Sequence, residues 1–305
     1  MSTLHILMPS LAGMDDVPVL RHWLAHGDRL PSLANARGAV LRACFRFPGD
    51  ALPTAALRHH CHAGDATSGT WLCADPAWVR SEATGARLMA CPVDDVSATE
   101  AAALAAVLRP TFGDAGVPLA VDTPSAWCVR LERGTPLGGF TDPVGALGTS
   151  LLDCLPTAEA GRKWRHLFNE VQIALHAHPV NAARAAAGKR PINALWFWGA
   201  GSLPESVGSE LRCIASNDDV LRGLAKLAGA ACVEPLPDAL EAAHGGRDAL
   251  LDLDAAGSAA ALAEWLATFR RWLRERRFDA VALSFASGKR FRVRHVHRLR
   301  FWRHA

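Results

Sequence analysis

Four polar residues crowd one stretch of the chain, His178, Asn181, Arg184 and Lys189, with Asn193 following and a Gly199-Ala200-Gly201 turn behind them. An arginine fork and a lysine point charge are the groups that hold phosphate or carboxylate. Glycines let backbone N–H groups approach an anion closely. His178, Asn181, Arg184, Lys189, Asn193, Gly199 and Gly201 are therefore candidate ligands of an anion. The same residues have a structural alternative, in which Asn181 N-caps an Ala182–Ala187 helix, Gly188 ends it and Arg184 faces solvent.

Other chemistry-bearing residues are sparser. His59-His60-Cys61-His62 has the composition of a metal site, but adjacent residues rarely reach one ion together, so a solvated helix end is expected. Asp252 and Asp254 close a late strand and are two isolated carboxylates. Ser10 ends the first strand and becomes a nucleophile only if folding brings a base to it. The eight cysteines lie 12 or more residues apart without a Cys-x-x-Cys pair, so reduced, mostly buried thiols are expected. No catalytic residue and no metal ligand is assigned.

These residues need elements to hold them. Ala194 to Trp198 is a continuous apolar run entering the glycine turn, which predicts a strand buried on both faces of a parallel sheet. Leu4–Leu11 predicts a first strand and Val17–Leu24 a helix with Pro18 in its first turn. Ala126 to Leu131 is strand-like. Ser97-Ala98-Thr99-Glu100 is a capping-box pattern ahead of a helix over Ala98–Leu108. Arg162 to Ala177 places Trp164, Leu167, Phe168, Val171 and Leu175 on one helical face. Further on come a helix over Asp218–Ala228, a strand over Ala249–Leu253, a helix over Ala259–Arg276 and a hairpin around Ser287-Gly288. Alternating strands and helices at both ends, around a different middle, predict an α/β core with an inserted α+β lobe. The expected division is residues 1–68 and 191–305 for the core and 69–190 for the lobe.

The chain has 305 residues, 50% of them apolar and 21% charged, the profile of a globular protein. It has no apolar run of about 18 residues to span a membrane. Its start lacks a basic segment and Asp15-Asp16 follows soon after, so a secretory signal is not expected and the cytoplasm is. The net charge of +3 conceals a basic end: residues 284–305 carry seven Lys/Arg and no acid, leaving the rest at −4. Arg290, Arg292 and Arg294 alternate with Phe291 and Val293. They form either an exposed hairpin face, with Phe291, Val293 and Leu299 packed inward, or a surface for nucleic acid, the first being preferred.

Several motifs together resemble a known family. His178-Pro179-Val180-Asn181, Arg184, Gly188-Lys189, Asn193 and the strand ending in Gly-Ala-Gly resemble a stretch of archaeal-type cofactor-independent phosphoglycerate mutases. Cys73-Ala74-Asp75-Pro76, Trp127-Cys128-Val129-Arg130 and Thr141-Asp142-Pro143 fit in order, and Arg130 joins the candidate anion ligands. Trp71-Leu72 before Cys73, the His178–Gly201 run and Arg298-Leu299-Arg300-Phe301-Trp302-Arg303 more closely resemble the phosphoglycerate mutase-like RpfE-type regulatory proteins. The resemblance implies an alkaline-phosphatase-like, mainly parallel sheet with an inserted lobe. The mutase resemblance also implies a two-metal phosphoryl-transfer centre. Yet Met8-Pro9-Ser10-Leu11 stands where a metal-binding aspartate is required, Trp198 replaces an arginine, and no Asp-x-x-His follows Gly201. The expectation is a regulatory protein without a recognisable cofactor, binding a phosphorylated small molecule or a protein partner. The alternatives are an active mutase carrying a divalent metal, and a nucleic-acid binder acting through the basic end.

Overall fold

The computed structural model describes residues 2–10, 18–33, 36–49, 51–83, 85–135, 137, 139–156, 159–254 and 259–300. Asp15, Asp16 and Phe301-Trp302-Arg303 lie outside them. Two compact units divide the chain, one made of Met1–Gly49 with Pro204–Ala305 and the other of Asp50–Leu203.

The first unit is built on a seven-stranded sheet in the order Ala231–Val233, Cys213–Ala215, Ala249–Asp252, Thr3–Met8, Ala280–Phe285, Arg290–Arg294, Asp28–Leu30. The first five strands are parallel, and the last two pairings, of Arg290–Arg294 with Ala280–Phe285 and with Asp28–Leu30, are antiparallel. The run Ala280–Phe285 is apolar almost throughout because both its faces are covered, as parallel strands require. The helix Ala259–Arg274 supplies Trp265, Phe269 and Trp272 to the core, where Phe269 meets Trp23 of the helix Pro18–His26. The predicted hairpin forms, with Leu283 opposite Phe291 and Gly288 at φ +88° in its turn. Its basic strand is not an exposed edge, however. Asp28–Leu30 pairs along it, Phe291 and Val293 are buried, Arg290, Arg292 and Arg294 are half-buried, and Asp28 takes Arg300 at 2.7 Å, whereas Leu299, expected to pack inward, is exposed in a turn past the strand end.

The strands of the second unit pair antiparallel. The long strand Thr70–Glu82 pairs with Gly85–Ala90, with Ala126–Leu131 and with Ala194–Gly201, and Leu119–Thr123 forms the edge beyond Ala126–Leu131. The expected placement of Ala194–Trp198 in a parallel core sheet is thereby corrected: Asp75 faces Trp196 and Ala77 faces Ala194 in an antiparallel register. An apolar run reports burial on both faces, and burial is silent about the direction of the neighbouring strand. One large core gathers Leu104, Leu108 and Phe112 of the helix Ala98–Asp114 with Trp164, Leu167, Phe168, Val171 and Leu175 of Arg162–His176. The capping box forms as read, Glu100 N–H donating to Ser97 Oγ at 3.2 Å and Ser97 N–H to Glu100 Oε2 at 2.8 Å. A smaller cluster, Ala55, Ala56, Ala66, Trp71, Cys73 and Cys128, lies where the helix Thr54–His62 meets this sheet.

Candidate functional site

The residues proposed to hold an anion do not converge. The helix after His178 runs Pro179–Ala186, one turn earlier than expected, and its cap is His178, whose Nδ1 accepts from Val180 N–H. Asn181 therefore sits inside the helix. Its amide donates to the carbonyls of Leu175 and Ile192, both at 2.9 Å, and its Oδ1 accepts from Ile192 N–H at 2.8 Å. Asn193 closes a second backbone gap, accepting from Val79 N–H and donating to Val79 O.

Arg184 does not face solvent; its side chain is fully buried. The guanidinium donates to Asp95 and to Glu100 Oε1 at 3.0 Å, and also to the carbonyls of Asp95 and Arg190. Four of the five N–H donors of this buried fork are thus taken by protein groups. Lys189 is exposed past the helix end, where its backbone N–H caps Arg184 O, and Arg130 is exposed on its strand. The polar groups of this stretch hold loops together, which is why chemistry-bearing types occur there.

The two glycines serve close packing. Gly199 has φ +62°, and a Cβ there would lie 2.9 Å from Thr54 Cβ. A Cβ on Gly201 would lie 2.5 Å from Pro53 Cβ. Together they seat the start of the helix Thr54–His62 on the sheet. That helix carries two further polar residues of this unit, Arg58 and His59. Arg58 forks Asp75 with two bonds of 2.8 Å, and Asp75 also accepts from Trp198 Nε1 and Trp127 N–H. With four donors on one buried carboxylate this pair is closed.

One turn-neighbour along, His59 is buried, contrary to the solvated helix end expected for His59-His60-Cys61-His62, and His60 is buried with it. His59 Nδ1 lies 2.7 Å from Asp122 Oδ1, and Cys128 Sγ lies 3.5 Å from His59 Nδ1 and 3.4 Å from Asp122 Oδ2. On the other side of the ring, Nε2 is 2.8 Å from the exposed Asp65, an ionic contact outside hydrogen-bonding angles. The ring stacks on Trp71 at 3.8 Å. Burial works against charge on His59, but the hydrogen bond and field of Asp122, with Asp65, outweigh it and raise its pKa. Burial first, and Asp122 second, push the Cys128 thiol far up. As a thiol it donates to Asp122 Oδ2.

Unit one has its polar cluster at the carboxyl ends of the parallel strands, where open α/β sheets bind ligands. Arg37 stands among three carboxylates there. Its guanidinium contacts Asp218 at 3.1 Å, Asp252 at 3.1 Å and Asp254 at 3.4 Å. Ser216 Oγ donates to Asp252 at 3.0 Å. Burial disfavours the guanidinium's charge, yet its hydrogen bond to Asp252 and the fields of Asp218, Asp252 and Asp254 raise its pKa above the ordinary arginine value. Burial raises Asp254, its neighbours Asp252 and Asp218 adding to this while Arg37 opposes it. Asp252 and Asp254 are thus not isolated. Arg37 and Asp218 carry no sequence signal, whereas Ala55 and Ala56, one helical turn before His59, are a signal of its burial that the expected solvated end overlooked. Ser10 is exposed at the end of its strand.

The fold is mixed α/β with a mostly parallel sheet in the first unit. No helix among the described residues is long and apolar enough to cross a membrane. No family model matches the chain. In sequence the chain is distantly similar to cofactor-independent phosphoglycerate mutases. The 2,3-bisphosphoglycerate-independent phosphoglycerate mutase of Methanosarcina barkeri is 31% identical over 133 residues, 42% of this chain and 31% of that protein. That of Methanosarcina acetivorans is 31% identical over 146 residues, 45% of this chain and 34% of that protein. These matches span about a third of the relatives' length. Among solved structures, the PH0037 protein from Pyrococcus horikoshii shares the fold with a TM-score of 0.55 at 14% identity, over 95% of this chain and 86% of that one.

Proposed function

We propose that this chain is a phosphoglycerate mutase-like protein of the RpfE regulatory type, on an alkaline-phosphatase-like scaffold, that works by binding a ligand or partner instead of by two-metal phosphoryl transfer. The observation that carries this reading is Arg37 among Asp218, Asp252 and Asp254. A two-metal centre needs carboxylates with free lone pairs converging on two cations, so that both the attacking and the leaving oxygen are clamped. A guanidinium supplies positive charge to the same carboxylates but has no lone pair to offer and cannot polarise a phosphoryl oxygen as a metal does. The described residues at these strand ends therefore do not fit the metals that the mutase resemblance implies. The first strand contributes no carboxylate to them, ending in Met8-Pro9-Ser10.

The test is a mutase assay with magnesium or manganese, run beside an active mutase, together with magnesium thermal shifts. The expected result is no interconversion of phosphoglycerates and no magnesium-induced stabilisation. Arg37→Ala frees the three carboxylates, and magnesium should then raise its melting temperature, since a ligand that binds only the folded state stabilises it. Metal-dependent turnover by the unaltered chain would overturn the proposal.

A further inference from the structure

We propose that His59, Asp122 and Cys128 form a binding site for a thiophilic divalent cation of the zinc class. This site lies within the second unit and is independent of the carboxylates around Arg37. The three residues come from three elements, the helix Thr54–His62 and the strands Leu119–Thr123 and Ala126–Leu131. Their donor atoms all lie within 4.8 Å of one another. Nitrogen, oxygen and sulfur together favour zinc over the hard cations, which take oxygen alone.

The distances fit as well. With bonds of about 2.0–2.3 Å, a tetrahedral zinc has ligand-to-ligand edges of about 3.3–3.6 Å. Cys128 Sγ lies 3.5 Å from His59 Nδ1 and 3.4 Å from Asp122 Oδ2. His59 Nδ1 meets the other oxygen, Asp122 Oδ1, in a 2.7 Å hydrogen bond, so the carboxylate turns to present one oxygen to the cation and this edge opens by about half an ångström when the cation replaces the proton.

Two features of the surroundings point to the same use. The strand register slips between Val121 and Thr123, so Asp122 is the bulged residue. Bulges re-aim a side chain, here toward His59 and Cys128. Asp65 faces the far ring nitrogen of His59 at 2.8 Å, and Trp71 fixes the plane of the ring. A carboxylate behind a ligating histidine is the usual support of such a ligand. Cys73, opposite Cys128 in the sheet, is engaged by Arg58 at 3.2 Å and stays outside the set.

The charges balance. Binding displaces the Cys128 thiol proton and any proton on His59 Nδ1, and both leave to solvent. One thiolate, one carboxylate and a neutral imidazole around a dication leave a centre without net charge, as burial requires. Three protein ligands leave a fourth position for water or an incoming ligand.

The experiment is a titration of the metal-free full-length protein with cobalt(II), followed by displacement with zinc. The expected result is one equivalent giving tetrahedral d–d bands and a thiolate-to-cobalt charge-transfer band, both erased by zinc. Cys128→Ser should lose the charge-transfer band and His59→Gln should lose the tetrahedral bands. Circular dichroism would show that each variant is folded. Cys232→Ser, an exposed cysteine of the other unit, should leave the spectrum unchanged. Asp65→Asn should weaken zinc binding by about tenfold or more while keeping the band, as loss of a supporting partner does. No cobalt binding, binding without the charge-transfer band, or a band that survives in Cys128→Ser would overturn the proposal.

Discussion

Replacing Arg184 by alanine should destabilise the second unit by about 3 kcal/mol, the low end of what breaking a buried charged pair costs. The change removes a side chain with no solvent exposure and four hydrogen bonds, two to carboxylates and two to backbone carbonyls. The low end applies because the groups left behind are not stranded equally. Asp95 is 42% exposed and rehydrates, and Glu100, at 19%, keeps its capping bond from Ser97. The carbonyls of Asp95 and Arg190 lose their partner outright. For a domain of this size about 3 kcal/mol lowers the melting midpoint by about 6–12 °C. Urea denaturation should show a lower midpoint at unchanged slope. Arg184→Lys keeps the charge but not the fork, so it should fall between the two. A loss in Arg184→Ala below about 1 kcal/mol would refute the assignment, because an exposed, ligand-facing arginine behaves that way.

Gly201→Ala should cost about 1–3 kcal/mol, since the new methyl group would stand 2.5 Å from Pro53 Cβ; Gly139→Ala, with nothing within 4 Å, should be neutral within about 0.5 kcal/mol by chemical denaturation. Burial holds His244 below the histidine model value of 6.5, against the pull of Glu241. The unfolded chain then takes up the proton first, so its contribution to stability is complete above about pH 6.5 and is lost as pH falls from there toward the lowered folded value. His244→Asn should flatten this part of the melting temperature against pH profile between about pH 7.5 and 5.5; an unchanged slope would remove His244 as its source.

The local elements of this chain are written in its sequence. The face Trp164, Leu167, Phe168, Val171 and Leu175 specifies the helix Arg162–His176, because residues three and four apart share one side of a helix whatever it packs against. Ser97 and Glu100 mark a helix start through bonds that close within four residues. Phe291 and Val293 alternate with arginines, and the strand they predict pairs back on Ala280–Phe285. Tertiary structure decided what these elements do. It set Ala194–Gly201 antiparallel to Thr70–Glu82, since burial of an apolar run carries no information about the neighbour's direction. It turned Arg184 from an anion ligand into the centre of a closed ion pair by bringing Asp95 and Glu100 to it from over 80 residues away. Arg37 meets Asp252 across 215 positions, and His59 meets Asp122 across 63. Hydrophobic periodicity is a property of one segment and survives in sequence. Charge compensation and ligand geometry are properties of pairs, and only the folded chain determines which pairs exist.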